Sequence, residues 1–138
     1  MGKTSIALAF ALASCAHLGA DVMIPLSVFS VETHRAKDVL IRVVRYNIDK
    51  SELRLESVRP IHHERLDFID IKSFTVASGA YVFEKCDELL ISPVKVTAES
   101  VQVEFECFLP RGGNVVAACT VQIEGLKFGK MACERKEQ

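Results

Sequence analysis

The feature that most constrains the fold is a pair of alternating segments near the C-terminus, separated by a glycine-containing turn. In residues 101–109, VQVEFECFL, and again in residues 115–123, VVAACTVQI, every odd position carries an apolar residue or a cysteine. A period of two is typical of a β-strand with one buried face. Folded about Gly112 and Gly113, the two segments predict a β-hairpin whose apolar face must be covered by further sheet structure.

The rest of the chain reads as short strands bounded by turn signals. Strand-like segments lie at 21–31, 38–47, 50–60, 64–76, 80–85 and 88–99, and 126–130 could add a short final strand. The link NIDK makes 38–47 and 50–60 a second candidate hairpin, and Pro93 interrupts 88–99. Seven or eight strands at a spacing of roughly ten residues predict an all-β antiparallel fold. A β-sandwich of the immunoglobulin-like or transthyretin-like type fits this spacing, and a closed barrel would share it.

Residues 33–48 allow two interpretations. Thr33 could cap a helix, and Ala36, Leu40, Val43, Val44 and Ile48 approximate helical spacing. The β-branched residues at 39, 41, 43 and 44 favour a strand instead. We therefore predict a strand over this region.

Composition and charge limit the classes of partner. Hydrophobic residues make up 49% of the 138-residue chain and charged residues 25%, which is typical of a globular protein rather than a disordered one. The 17 basic and 18 acidic residues are interspersed, so no basic stripe is available for a phosphate backbone. We predict that the chain does not bind nucleic acid. No apolar stretch of about 18 residues follows the N-terminal region, so no transmembrane helix is predicted.

The N-terminal region is typical of an export signal. A short positive start, MGK, precedes the apolar run TSIALAFALA, whose length suits a signal-peptide core. A buried N-terminal helix is the alternative, but residues 5–13 offer almost no polar face. We predict a signal peptide over 1–20 and a single β-sandwich domain over 21–138.

The residues around Cys15 decide how the signal would be processed. Leu12, Ala13, Ser14 and Cys15 resemble the lipobox of bacterial lipoproteins. The resemblance implies lipidation of Cys15, which would then be the only link to a membrane. Ordinary cleavage after Ala16 or Ala20 is the rival, and it would discard Cys15.

Four cysteines remain once Cys15 is lipidated or removed, and an even number is expected in an oxidising compartment. We predict that Cys86, Cys107, Cys119 and Cys133 form disulfides. If the hairpin turn centres near Gly113, Cys107 lies opposite Cys119, which would leave Cys86 to pair with Cys133. The pairings 86–107 with 119–133, and 86–119 with 107–133, stay open. No CxxC motif is present, which argues against zinc-ribbon or thioredoxin-like chemistry.

The densest group of reactive side chains is PIHHERLDFID, 60–70. It contains His62, His63, Glu64, Asp67 and Asp70, and His34 lies in a separate loop candidate. A metal could use His62 with Glu64, or His63 with Asp67. However, adjacent histidines on a strand point to opposite faces, and the helical His-x-x-x-His spacing is absent. We interpret the segment as a polar loop entering a strand, and predict no metal site and no cofactor.

Signals of other catalytic chemistry are equally sparse. The sequence has no Gly-x-Ser-x-Gly elbow, and RGGN at 111–114 suits a hairpin turn better than a phosphate loop. Asp67 and Asp70 would act as an acid–base pair only in a shared, buried cleft. We therefore predict that the chain is not an enzyme.

These observations favour an exported, non-enzymatic protein-binding or assembly module of the cell envelope, anchored by lipid if Cys15 is modified. Its partner would be a protein bound through a sheet edge or loops. Its location would be periplasmic and outer-membrane-associated, or extracellular. The alternative is a soluble secreted effector or inhibitor.

Overall fold

The computed structural model describes residues 28–46 and 52–137, and these ranges form three antiparallel sheets with no α-helix. The prediction of an all-β antiparallel fold is confirmed. The predicted signal peptide, Cys15 and the link 47–50 lie outside the described residues. The sheets stay separate, so the described strands do not close into a barrel.

The first sheet is a four-stranded meander in the order β1-β2-β3-β4. Its strands are β1 (Val28–Ala36), β2 (Val39–Tyr46), β3 (Leu53–Val58) and β4 (Arg65–Ile71). The helical alternative for 33–48 is wrong, because β1 continues to Ala36 and a two-residue turn at Lys37 and Asp38 leads directly into β2. The strand places the β-branched residues Val39, Ile41 and Val43 on the buried face.

The segment 64–76, predicted as one strand, is two strands in two sheets. After β4 the chain forms a separate hairpin, and a 3-10 helix follows it. These elements are β5 (Ser73–Val76), β6 (Gly79–Val82) and the helix Phe83–Lys85. The N–H of Phe83 donates to the carbonyl oxygen of Lys72 at 2.9 Å, which closes this small unit where the chain leaves β4.

The third sheet contains the remaining strands, with β10 and β9 at its centre. They are β7 (Glu88–Ile91), β8 (Lys95–Val96), β9 (Ser100–Phe108), β10 (Asn114–Glu124) and β11 (Lys127–Arg135). The predicted interruption at Pro93 is confirmed, since β7 and β8 pair in succession with the same strand, β9. β11 is longer than the predicted segment 126–130, because it continues to Arg135.

The predicted β9–β10 hairpin is present, but its register differs from the expected one. Phe108 pairs with Asn114, so the loop between the strands is centred on Arg111 rather than on Gly113. Gly112 and Gly113 adopt φ values of 87° and 83°, the left-handed region that glycine enters without steric cost. Both glycines therefore lie after the centre of the loop, just before β10 begins.

This register changes the disulfide pairing. Cys107 faces Val115 across the hairpin, so the possible Cys107–Cys119 bridge, and with it Cys86–Cys133, is wrong, and one of the pairings left open is found instead. The two disulfides are Cys86–Cys107 and Cys119–Cys133. Cys119 and Cys133 are direct partners across β10 and β11, with 4.0 Å between their Cα atoms. The Cys86–Cys107 bridge joins the chain just before β7 to β9.

One apolar core collects buried side chains from all three sheets. Its centre is a group of aromatic rings in which Phe105 lies 4.9 Å from Phe83 and 6.0 Å from Phe74, measured between ring centroids. Tyr81 stacks on Phe74 at 5.3 Å. Ring contacts in this range add stabilisation beyond the burial of their area. The β5–β6 hairpin and the 3-10 helix thus supply aromatic rings that pack against Phe105 of the third sheet within this shared core.

Candidate interaction surface

The two adjacent histidines lie at the tip of the β3–β4 connection. His62 and His63 have φ values of 69° and 52°, and both side chains are exposed. The loop is closed by the N–H of Arg59, which donates to the carbonyl oxygen of Glu64 at 2.8 Å, and by an ion pair between their side chains. Consecutive left-handed residues form a tight turn that reverses the chain, and the exposed Ile61 precedes them.

The two aspartates of the same sequence segment serve separate structural contacts. One Oδ of Asp67 accepts the backbone N–H of Phe128 at 2.9 Å. Asp70 accepts two hydrogen bonds from Arg54, at 2.6 and 2.9 Å. Being three residues apart on one strand, Asp67 and Asp70 point to opposite faces of the sheet. They therefore cannot work as an acid–base pair in one cleft.

His34 is not brought to the histidine pair. It lies on β1, where its Nε2 is 3.5 Å from the Glu32 carboxylate and makes no hydrogen bond to the described residues. Within 28–46 and 52–137, no group of three or more His, Cys, Asp or Glu side chains is arranged to hold a metal ion.

A cluster of arginines and one phenylalanine covers the outer face of the first sheet. The guanidinium carbons of Arg54 and Arg65 lie 4.8 and 4.7 Å from the centre of the Phe68 ring. Arg65 also contacts Glu56, which is itself held by Arg42 at 2.9 Å. The hydrogen bond to Asp70 raises the pKa of Arg54 above its ordinary value. We name Arg54, Glu56, Arg65, Phe68 and Asp70 the arginine–phenylalanine cluster.

Alternation alone does not reveal this cluster, although one signal for it is present in the sequence. The outward positions of β3 and β4 carry charged or aromatic residues, whereas the inward positions carry Leu53, Leu55 and Ile69. The register supplies the missing information, since it places Glu56 beside Phe68 and Arg54 beside Asp70.

The side chain of Arg45 connects the two larger sheets. Its guanidinium donates to the carbonyl oxygens of Ile91 and Ser92 at 3.3 and 2.9 Å, and it lies 3.7 Å from the Glu32 carboxylate. Arg45 thus binds backbone oxygens at the end of β7, and those oxygens are no longer free to accept a hydrogen bond from another strand.

The opposite side of the molecule is connected in a similar way. The hydroxyl of Ser57 on β3 donates to the carbonyl oxygen of Leu126 at 2.7 Å, and Asp67 on β4 binds the N–H of Phe128. β11 also lies beside β5. β4 and β11, the outer strands on this side of the molecule, are therefore contacted by side chains and by neighbouring strands.

The outer edge of β1 is different. β1 has nine residues, pairs with β2 on one side, and pairs with no strand of the described ranges on the other. The two-residue β8 lies close to β1, but its hydrogen-bonded partner is β9. Phe29 is 74% exposed and Val31 46% exposed, so the strand presents apolar side chains next to its open edge.

The two-residue turn shows which backbone groups of β1 point outward. In a hairpin of this length the residues flanking the turn, here Ala36 and Val39, face each other through their backbone groups. Because the direction alternates along an antiparallel strand, Val31, Thr33 and Arg35 direct their N–H and C=O groups to the open edge. These three residues form the candidate interaction surface together with Phe29.

An open cleft lies where three turns meet at one end of the molecule. Its charged lining residues are Lys37, Asp38, Glu99 and Glu124, and its apolar ones are Ala36, Ala98 and Ile123. Binding pockets for small organic molecules are predominantly apolar. Because its lining carries charges of both signs, this cleft is a weaker candidate for a binding site than the β1 edge.

Two further findings bear on function. Among the residues that the structure describes, none belongs to a helix with the length and hydropathy needed to cross a bilayer. No family model matches the sequence, and no curated protein or solved structure is significantly similar to it.

Proposed function

We propose that this chain is an exported, non-enzymatic protein-binding or assembly module of the cell envelope, and that its partner adds a strand to the open edge of β1. The observation that carries the proposal is the unpaired edge of β1 with Phe29 and Val31 exposed beside it. An added strand would gain backbone hydrogen bonds along the edge, and the side chains on β1 would select its sequence.

The composition of β1 supports this proposal. Soluble proteins usually protect a long edge strand with proline, charged side chains (lysine above all), a bulge or a covering element, because an unprotected edge recruits other chains. Residues 28–36, VFSVETHRA, contain neither proline nor lysine; their charged residues are Glu32 and Arg35, and Glu32 lies beside Arg45 of the neighbouring strand. A bulge between Val28 and Ser30 disturbs only the first residues of the strand. The remaining edge is regular, and a regular edge is what strand addition requires.

The compartment is proposed from the cysteines and the N-terminal sequence. Disulfides persist in oxidising compartments, and the described residues contain two. Together with the signal-like residues 1–20, they support export to the periplasm or beyond. We further propose that residues 21–138 form one β-sandwich domain in which the two larger sheets face each other, and that Cys15 carries a lipid.

A binding role is favoured over catalysis by how the reactive side chains are used. Asp67 and Asp70 are engaged in structural contacts on opposite faces of the sheet, and His62 and His63 form an exposed turn. Each of these groups has a structural role that accounts for its position. We therefore propose that the chain has no catalytic centre and needs no cofactor.

The β1 edge is tested by capture experiments with matched variants. Val31 and Leu90 are both 46% exposed, but Leu90 lies on β7 in the other large sheet. Immobilised wild type, Val31→Lys and Leu90→Lys would be exposed to envelope extract. We expect a partner that wild type and Leu90→Lys retain and Val31→Lys loses at least tenfold. Equal capture by all three, or no partner at mild salt, would contradict the proposal.

The compartment is tested by the intact mass of the protein purified from its own host without reduction. A mass that begins at Cys15 with acyl chains supports the lipid anchor. A mass that begins at His17 or Asp21 without lipid, with protein in the medium, supports a soluble secreted effector or inhibitor instead. An unprocessed chain with free thiols would contradict export.

A further inference from the structure

We infer that the strand that adds to β1 is β1 of a second copy, in an antiparallel pair centred on Thr33. This inference rests on the proposed use of the β1 edge and names its occupant. Two four-stranded sheets would become one continuous sheet of eight strands, related by a two-fold axis that passes beside Thr33. Closed two-fold dimers are the commonest form of soluble homo-oligomer.

The regular part of the strand selects this centre. The pairing of β1 with β2 runs without interruption from Ser30 to Ala36, and the bulge lies before Ser30. Thr33 is the midpoint of that regular segment. Symmetric pairing about Thr33 uses the whole regular segment, because Ser30 of each copy then lies opposite Ala36 of the other. A centre at Val31 would extend the pairing into the bulge.

The charges select the same centre. A pair centred on Glu32 would place two carboxylates directly opposite each other, and like charges in that position destabilise a sheet. About Thr33, Glu32 of each copy lies opposite His34 of the other, and the two Thr33 side chains face each other. Opposed threonines are among the favourable cross-strand pairs.

The outward backbone groups fit the pairing as well. Val31, Thr33 and Arg35 direct their N–H and C=O groups to the open edge, and Val31 of one copy lies opposite Arg35 of the other. All three residues are exposed in the single chain. β8 lies near β1 but pairs with β9, so it uses none of these backbone groups.

Single-cysteine variants measure the register. The two Thr33 residues would form a hydrogen-bonded pair with their Cα atoms about 5.5 Å apart, within disulfide reach. Two Val31 residues would be offset by four positions along the strand, about 13 Å, which is beyond disulfide reach. After mild oxidation of the purified protein, we expect a covalent dimer as the main product of Thr33→Cys and at least tenfold less from Val31→Cys. Wild type processed in parallel corrects for any crosslink through Cys15.

A second measurement does not depend on added cysteines. Sedimentation velocity over a concentration series should show a wild-type species of twice the chain mass, and Thr33→Pro should be monomeric because it removes an outward N–H while leaving the β2 ladder intact. Residue 31 of each copy lies opposite Arg35 of the other, so the dimer contains two such pairs. The dimer dissociation constant of Val31→Lys should therefore be about tenfold higher than that of Val31→Glu, because lysine repels Arg35 and glutamate attracts it.

The outcomes separate this inference from the proposed function. Crosslinking of Val31→Cys instead of Thr33→Cys would contradict the register. A monomeric wild type, together with loss of partner capture in Val31→Lys, would overturn the self-pairing and leave strand addition by another protein standing. A monomer whose partner capture is unaffected by Val31→Lys would overturn both.

Discussion

The two larger sheets differ in the interactions that stabilise each of them internally. The five-stranded sheet carries both disulfides, one between β10 and β11 and one that joins the start of β7 to β9. The four-stranded sheet contains none, and its outer face carries the arginine–phenylalanine cluster. Covalent bridges keep their contribution at any salt concentration, whereas partly exposed ion pairs are screened. The stability of the four-stranded sheet, which ends in the open edge of β1, should therefore depend more on salt concentration than that of the five-stranded sheet.

The largest expected effect tests the covalent side of this comparison. Replacing Cys119 and Cys133 together by alanine should lower the free energy of unfolding by about 3 kcal/mol, because the bridge closes a chain segment with a sequence separation of 14. Removing Cys86 and Cys107 should cost a similar amount. Urea denaturation of the oxidised variants measures both. A loss below about 1 kcal/mol for either pair would show that the bridges are not what stabilises this sheet.

The next effect tests the connection between the two sheets. Arg45→Met keeps much of the aliphatic stem but removes the donors to Ile91 and Ser92, and should cost about 1.5–3 kcal/mol because the lost hydrogen bonds involve a charged group. The same substitution at Arg111, an exposed residue of the β9–β10 loop, is the control and should cost less than about 0.5 kcal/mol. Equal costs would mean that Arg45 does not connect the sheets.

A smaller effect tests the ionic side. A double-mutant cycle with Arg54→Ala and Asp70→Ala should give a coupling of about 0.5–1 kcal/mol, because the pair is bidentate but about a quarter exposed. One molar salt should reduce this coupling and leave the cost of the disulfide variants unchanged. A coupling that is insensitive to salt would remove the proposed contrast between the sheets.

The smallest expected effect comes from an exposed ion pair outside the arginine–phenylalanine cluster, which serves as a comparison for the Arg54–Asp70 pair. Lys136 pairs with Glu104 on the outer face of the five-stranded sheet, and both side chains are exposed. Glu104→Gln should change the free energy of unfolding by less than about 0.5 kcal/mol. A larger change would show that ion pairs also support the disulfide-bearing sheet, and the two sheets would then differ less than we argue.

The sequence was most informative where a pattern is local. Alternation in 101–109 and 115–123 predicted β9, β10 and their buried faces, because a period of two needs no knowledge of the partner strand. The register of the same hairpin was wrong, since glycines identify a loop without fixing its centre. That error put Cys119 opposite Cys107, whereas the actual register places Val115 there, and the sequence left the pairing that forms as one of the open alternatives.

Other features depended on contacts that the sequence does not state. The break between β4 and β5 had one signal, a change of the core-facing apolar positions from odd (Ile69, Ile71) to even (Phe74, Val76). The arginine–phenylalanine cluster required the β3–β4 register, and the role of Arg45 required the position of the other sheet. The open edge of β1 could not be derived at all, because an edge is defined by which strands fail to pair with it.

The order of the disulfides along the chain has a consequence for biosynthesis. From Cys86 onward the cysteines pair in chain order, the first with the second and the third with the fourth, so the two closed loops follow one another without overlap. As the chain emerges with its N-terminus first, Cys107 meets Cys86 before Cys119 and Cys133 are available. The first bridge can therefore close without a competing thiol from the second pair. This order should favour the native pairing during oxidation and reduce the need for an isomerase to rearrange mispaired bridges.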